Sequence, residues 1–163
     1  MGLIALSFLF SLCGLIIIPF SPVKLKKITA IIVVLSSGAI HLFNAAKVLS
    51  GKTLDFIINA GFPFGDIAVR IDSLSAFFMI VITFTLSTGV IYGYHYMSKY
   101  NDERDKQSLH WCSFILLQAG MMSVCMMQNI LAFLMSWEVM TVAAFILVIY
   151  DYETPNTIRA GLN

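Results

Sequence analysis

The apolar residues of this chain arrive in blocks roughly twenty residues long, divided by short polar stretches, the pattern of membrane-crossing helices. A helix needs about 20 such residues to span a hydrocarbon core of about 30 Å. Lipid offers the backbone no hydrogen bonds, so a single spanning block must satisfy its own amides as a helix. Residues 3–20 hold no charged side chain. Residues 28–49, 73–97, 109–127 and 129–150 form the other blocks, with Lys47 and Glu138 as their formal charges. Composition points the same way: 59% of residues are hydrophobic and 12% charged, against about 25% charged in a soluble domain. The expected fold is an all-α membrane protein with five transmembrane helices over these ranges.

The first block has no basic start and no small-residue cleavage site after it, so it reads as a membrane helix rather than a signal peptide. Ser21–Lys27 reads as a short basic loop carrying Lys24, Lys26 and Lys27. In the second block Lys47 lies near the end, where it can snorkel. His41 lies deeper and is a possible supporting residue for proton transfer, although a packed, hydrogen-bonded histidine is the commoner occurrence. Residues 54–59 and 66–72 flank G-F-P-F-G, which predicts an outer hairpin-like loop at the membrane surface, since open sheet edges are not tolerated in lipid. Asp72 is placed to cap the third helix. Residues 98–108 read as solvated loop.

Only Gln128-Asn129 separates the last two blocks, which forces a tight helical hairpin with Asn129 as N-cap. Lysines and arginines are denser in the loops that follow the first, third and fifth helices. This predicts an N-terminus outside and a C-terminus inside the cell membrane. A net charge of +1, held in short loops, gives no reason to expect a nucleic-acid partner.

Cys13, Cys112 and Cys125 form no CxxC pair and read as buried or lipid-facing thiols. Met121, Met122, Met126 and Met127 read as adaptable packing, because no histidine accompanies them. No metal, iron–sulfur or other cofactor motif is expected in this chain.

Glu138 is the residue that apolar packing does not explain. It sits near the middle of 129–150, where a charge costs about 2.5–3.5 kcal/mol on insertion scales. Either it keeps its proton, or it faces a partner or water within a bundle. Both options make it the candidate site for proton translocation. Thr141 lies at i+3 and could donate to it. Gln118 stands at equal distance from the hairpin turn on the preceding helix and is expected at comparable depth. Thr141 and Gln118 are therefore possible supporting residues. No residue is assigned a catalytic role.

S-W-E-V-M-T-V-A-A-F-I-L-V-I-Y-D (136–151) resembles the fifth-helix motif of the antiporter-like subunits. That family comprises proton-pumping membrane subunits of NADH–quinone oxidoreductase, large Mrp antiporter subunits, and membrane subunits of hydrogenase-4 and formate hydrogenlyase. V-R-I-D-S-L-S-A-F-F (69–78) is similar to the entry of the family's third helix. I-Y-G-Y-H-Y-M (91–97) resembles its end, closest to the hydrogenase-4 component B branch. R-A-G-L-N (159–163) resembles the start of a sixth helix. Ala144 and Phe145 stand where a Ser-Tyr pair is common.

The resemblance implies that residues 1–108 are the N-terminal helices and hairpin, and that 109–163 begin the first proton-translocating repeat, truncated here. It implies a glutamate at 138 that pairs with a lysine two helices further on. The expected function is ion translocation, of protons or sodium, in a redox-driven complex. The chain would be a non-catalytic pumping subunit, with partner subunits carrying iron–sulfur clusters and flavin or nickel–iron. Partners would be other membrane subunits, the C-terminal helices if these are separately encoded, and the lipid bilayer. The alternative is a structural or assembly subunit, or split-gene fragment, without transport of its own. A stand-alone channel is the least supported reading, since one acid among five helices lines no obvious pore.

Overall fold

In the computed structural model, residues 2–59, 61, 65–97 and 104–150 are described. They form α1 (Gly2–Phe20), α2 (Val23–Leu49), β1 (Leu54–Asn59), β2 (Asp66–Ile71), α3 (Ser73–Tyr96), α4 (Arg104–Met126) and α5 (Ile130–Val148). All five helices are long and apolar enough to cross a membrane, as the apolar blocks require.

Helix α4 is the hub, packing against α1, α2, α3 and α5. Helices α1 to α4 form the bundle, and α5 is laid against the outside of α4. One buried patch joins Ile4, Ala45, Val48, Val69, Ile71, Ala76, Met79, Met122 and Met126 near the hairpin. A second joins Ile18, Ala30, Val34, Val90, Trp111 and Ile115 towards the other end. Met122 and Met126 thus do the packing expected of them. Cys13 is exposed, and Cys112 and Cys125 are partly buried.

The two strands pair antiparallel from Leu54↔Ile71 to Asn59↔Asp66. The sheet does not float free. Val69 bridges to Met127, and the Gln128 amide donates to the Ala68 carbonyl at 2.9 Å. The hairpin is therefore tied to the α4–α5 turn at one end of the bundle.

Two boundaries differ from the sequence expectation. Helix α2 begins at Val23, directly after Pro22, so Lys24, Lys26 and Lys27 lie on its first turns rather than in a loop. Proline has no amide to leave unsatisfied and suits a helix entry. Lys26 and Lys27 are buried; Lys26 Nζ donates to the Ser108 hydroxyl, and Lys27 Nζ lies 5.9 Å from the Tyr94 ring centroid. Helix α4 begins at Arg104, so the stretch read as solvated loop is helical from there on. Gln107 is fully buried, donating to the Met97 carbonyl at 2.6 Å and accepting from Trp111 Nε1 at 2.9 Å. Residues 98–103 and the R-A-G-L-N stretch lie outside the described residues.

Candidate functional site

Helix α5 starts as its sequence dictates. Asn129 Oδ1 accepts from the amides of Leu131 at 2.9 Å and Ala132 at 3.2 Å, satisfying donors that a helix start leaves open. Asn129 Nδ2 also donates to the Asp66 carbonyl at 3.3 Å, which ties the start of α5 to the hairpin.

The rotation of α5 is set by small residues. Ala132 and Ala143 are its buried positions, and the backbone of Met140 lies against Gly120 of α4. Glu138 is two residues from Met140, roughly 200° around a helix of 3.6 residues per turn. It is exposed, on the side of α5 away from that contact. Its neighbours there include Leu134, 54% exposed, and Phe145, 38% exposed. At the edge of this face, Glu138 lines a shallow groove with Leu116, Val139, Val142, Ala143 and Ile146.

Among the described residues, no hydrogen bond joins Glu138 to the residues expected to support it. The Thr141 hydroxyl donates to its own helix, to the Trp137 carbonyl at 2.9 Å. Gln118 is buried, 2% exposed, and faces α2. Its Nε2 donates to the Val34 carbonyl at 3.1 Å. Its Oε1 lies 3.2 Å from the Ser37 hydroxyl, which also stands 2.7 Å from the Val33 carbonyl. The count of residues from the turn carried no information on azimuth. Gln118 is a clamp between α4 and α2. His41 is buried on α2, its ring edge-on to Phe8 of α1 at 6.0 Å between centroids.

The bundle interior carries a polar seam that the reading of single residues missed. Ser7 and Ser11 of α1, Ser37, His41 and Asn44 of α2, Thr83 of α3 and Gln118 of α4 are all buried. The hydroxyls of Ser7, Ser11, Ser37 and Thr83 each donate to a carbonyl one turn back in their own helix. That habit lets helices approach closely in lipid without unpaired donors. At Gly38 an added Cβ would stand 3.1 Å from Thr83 Cγ2 and 3.6 Å from Gln118 Nε2. The spacing Ser7, Ser11, Gly14 on α1 and Ser37, Gly38, His41, Asn44 on α2 was the available signal.

No family model matches the chain. Over 141 residues, 86% of the chain, it is 28% identical to hydrogenase-4 component B of Escherichia coli strain K12. The chain spans 20% of that relative's length. The similarity supports a distant relationship to an antiporter-like membrane subunit. With five spanning-length helices, it supports a multi-pass membrane protein.

Proposed function

We propose that this chain is a membrane subunit, or the N-terminal part of one, in a hydrogenase-like redox-driven complex that moves protons or sodium ions. Glu138 is the protonatable group in this reading. The observation that carries it is a carboxylate at mid-helix on the face of α5 turned away from α4. A carboxylate left facing hydrocarbon would be costly. A face that carries one therefore suits contact with further helices bearing a basic or polar partner, in the same or a separate chain. The matched region is 20% of the hydrogenase-4 relative's length, which leaves room for such helices. Residues 1–108 then form a scaffold, and residues from 109 onward open the translocating repeat. The N-terminus lies outside and the C-terminus inside the cell membrane. Iron–sulfur, flavin or nickel–iron centres belong to partner subunits, whose redox energy changes the charge near Glu138. His41, Gln118 and Thr141 take at most supporting roles.

The test is Glu138→Gln in the assembled complex, with assembly and coupled ion movement both measured. Coupled ion movement is lost while assembly persists. Normal pumping by the variant overturns the reading.

A second reading, a structural or assembly subunit without transport, is favoured by one observation. Glu138, Gln118 and His41 lie on different packing faces, so the described residues hold no continuous relay. Under it, Glu138→Gln lowers the yield of the complex and leaves turnover per complex unchanged.

A further inference from the structure

On α2, His41 and Asn44 are both buried, at 3% and 4% exposure. His41 Nδ1 has no hydrogen-bond partner among the described residues. Asn44 Nδ2 donates to the Ile40 carbonyl at 2.9 Å, while no described group donates to its Oδ1. Buried polar atoms in folded proteins are nearly always paired, with water where protein groups are out of reach. Here His41 Nδ1 is such an atom, and Asn44 stands at i+3, a spacing that puts Cβ atoms about 5–6 Å apart on a helix. One water, making two hydrogen bonds of about 2.8 Å, links polar atoms up to about 5.6 Å apart, a reach that fits side chains at this spacing.

We propose that α2 carries a buried water-binding site between His41 Nδ1 and Asn44 Oδ1. Donors and acceptors balance with either imidazole tautomer. If Nδ1 carries the proton, it donates to the water, which donates to Asn44 Oδ1. If Nδ1 is bare, the water donates once to each. The ring of Phe8, edge-on to His41, walls the site on the α1 side. The polar seam continues along α2 from Asn44 back to Ser37 and Gln118, a rise of about 10 Å over seven residues. The site gives the N-terminal bundle an internal exchangeable proton that does not depend on Glu138.

The test uses the chain in bilayers with uniformly ¹⁵N-labelled histidine. Proton-detected solid-state NMR reads water-proton correlations to imidazole nitrogens after the bulk-water signal is dephased. A correlation to His41 Nδ1 is expected, identified by its loss in His41→Phe. In Asn44→Leu, which keeps the imidazole, the correlation falls several-fold. No bulk-independent correlation in the wild type overturns the proposal, as does an undiminished one in Asn44→Leu. Should either variant fail to fold, infrared spectra of the wild type in H₂¹⁸O decide. A sharp buried-water band that shifts with the isotope supports the site, and its absence refutes it.

Discussion

Gly120 of α4 lies against the backbone of Met140 of α5. A Cβ at position 120 would stand 3.0 Å from Met140 Cβ and 3.1 Å from both its Cα and its amide nitrogen. Helices in lipid associate through close packing of small residues, because lipid is as apolar as the side chains it competes with. This contact fixes both the distance of α5 from α4 and its rotation. Gly120→Ala therefore forces the backbones apart by a few tenths of an ångström, and Gly120→Leu by far more. Overpacking of this kind costs about 1–3 kcal/mol. Thermal unfolding in detergent should show Ala lowering the midpoint slightly and Leu lowering it strongly. Cysteine pairs placed across α4 and α5 should lose crosslinking in the Leu variant.

Asp72 caps α3: its Oδ1 accepts from the Ser75 amide at 2.8 Å. That backbone hydrogen bond holds the carboxyl below its ordinary value of 3.8. A group depressed in the folded state contributes stability above its unfolded pKa and loses it as pH falls through the folded value. The loss from this residue is therefore confined to below about pH 4. At neutral pH, Asp72→Ala costs about 0.5–2 kcal/mol, at the low end because the group is exposed to screening. Asp72→Asn, which keeps an acceptor, costs less and removes the acid dependence. Unfolding midpoints of the three proteins between pH 3 and 7 check this.

Gln118 separates two kinds of polar residue in a membrane helix. It is satisfied within the bundle, donating to Val34 and standing beside Ser37. Gln118→Leu keeps the volume and lets Ser37 hold its bond to Val33. Hydrogen bonds between membrane helices average about 0.6 kcal/mol in double-mutant cycles, so the Leu variant should be close to wild type in stability. Gln118→Ala adds a cavity and should be clearly less stable. An Ala variant equal to the Leu variant in unfolding midpoint would contradict the clamp.

The helices were legible because about twenty apolar residues in a row admit few other folds in lipid. The hairpin was legible from G-F-P-F-G between extended runs, and the cap of α5 from Asn129. The starts of α2 and α4 fall earlier than the sequence pattern suggests for a common reason: charged and polar residues there have the composition of a loop. Lys26, Lys27 and Gln107 instead bury their long side chains on helices, as such stems allow. Helix rotation was the larger loss. A soluble helix announces its inner face by an apolar stripe. Here Leu134 towards the outside and Ala143 towards α4 are both apolar, so the stripe vanishes. Gln118 and Glu138 stand at equal distance from the turn, yet nothing in hydropathy revealed that one faces α2 and the other turns away from α4. The pointers to rotation were Gly120 and the small residues of α5, which mark close helix approach.

Glu138 makes one substitution informative in two settings. When the chain stands by itself in a bilayer, Glu138 is exposed on the side of α5 away from its contact with Gly120 of α4. Glu138→Leu should then ease insertion of α5, by about 2.5–3.5 kcal/mol on insertion scales less what snorkelling recovers. In the assembled complex the same change removes the protonatable group and should stop coupled ion movement. A glycosylation-site insertion assay on α5 reads the first effect, and ion flux in vesicles reads the second. Better insertion together with lost flux is what a carboxylate retained for function produces. Unchanged insertion would mean that the side chain already reaches water or a polar partner without the complex.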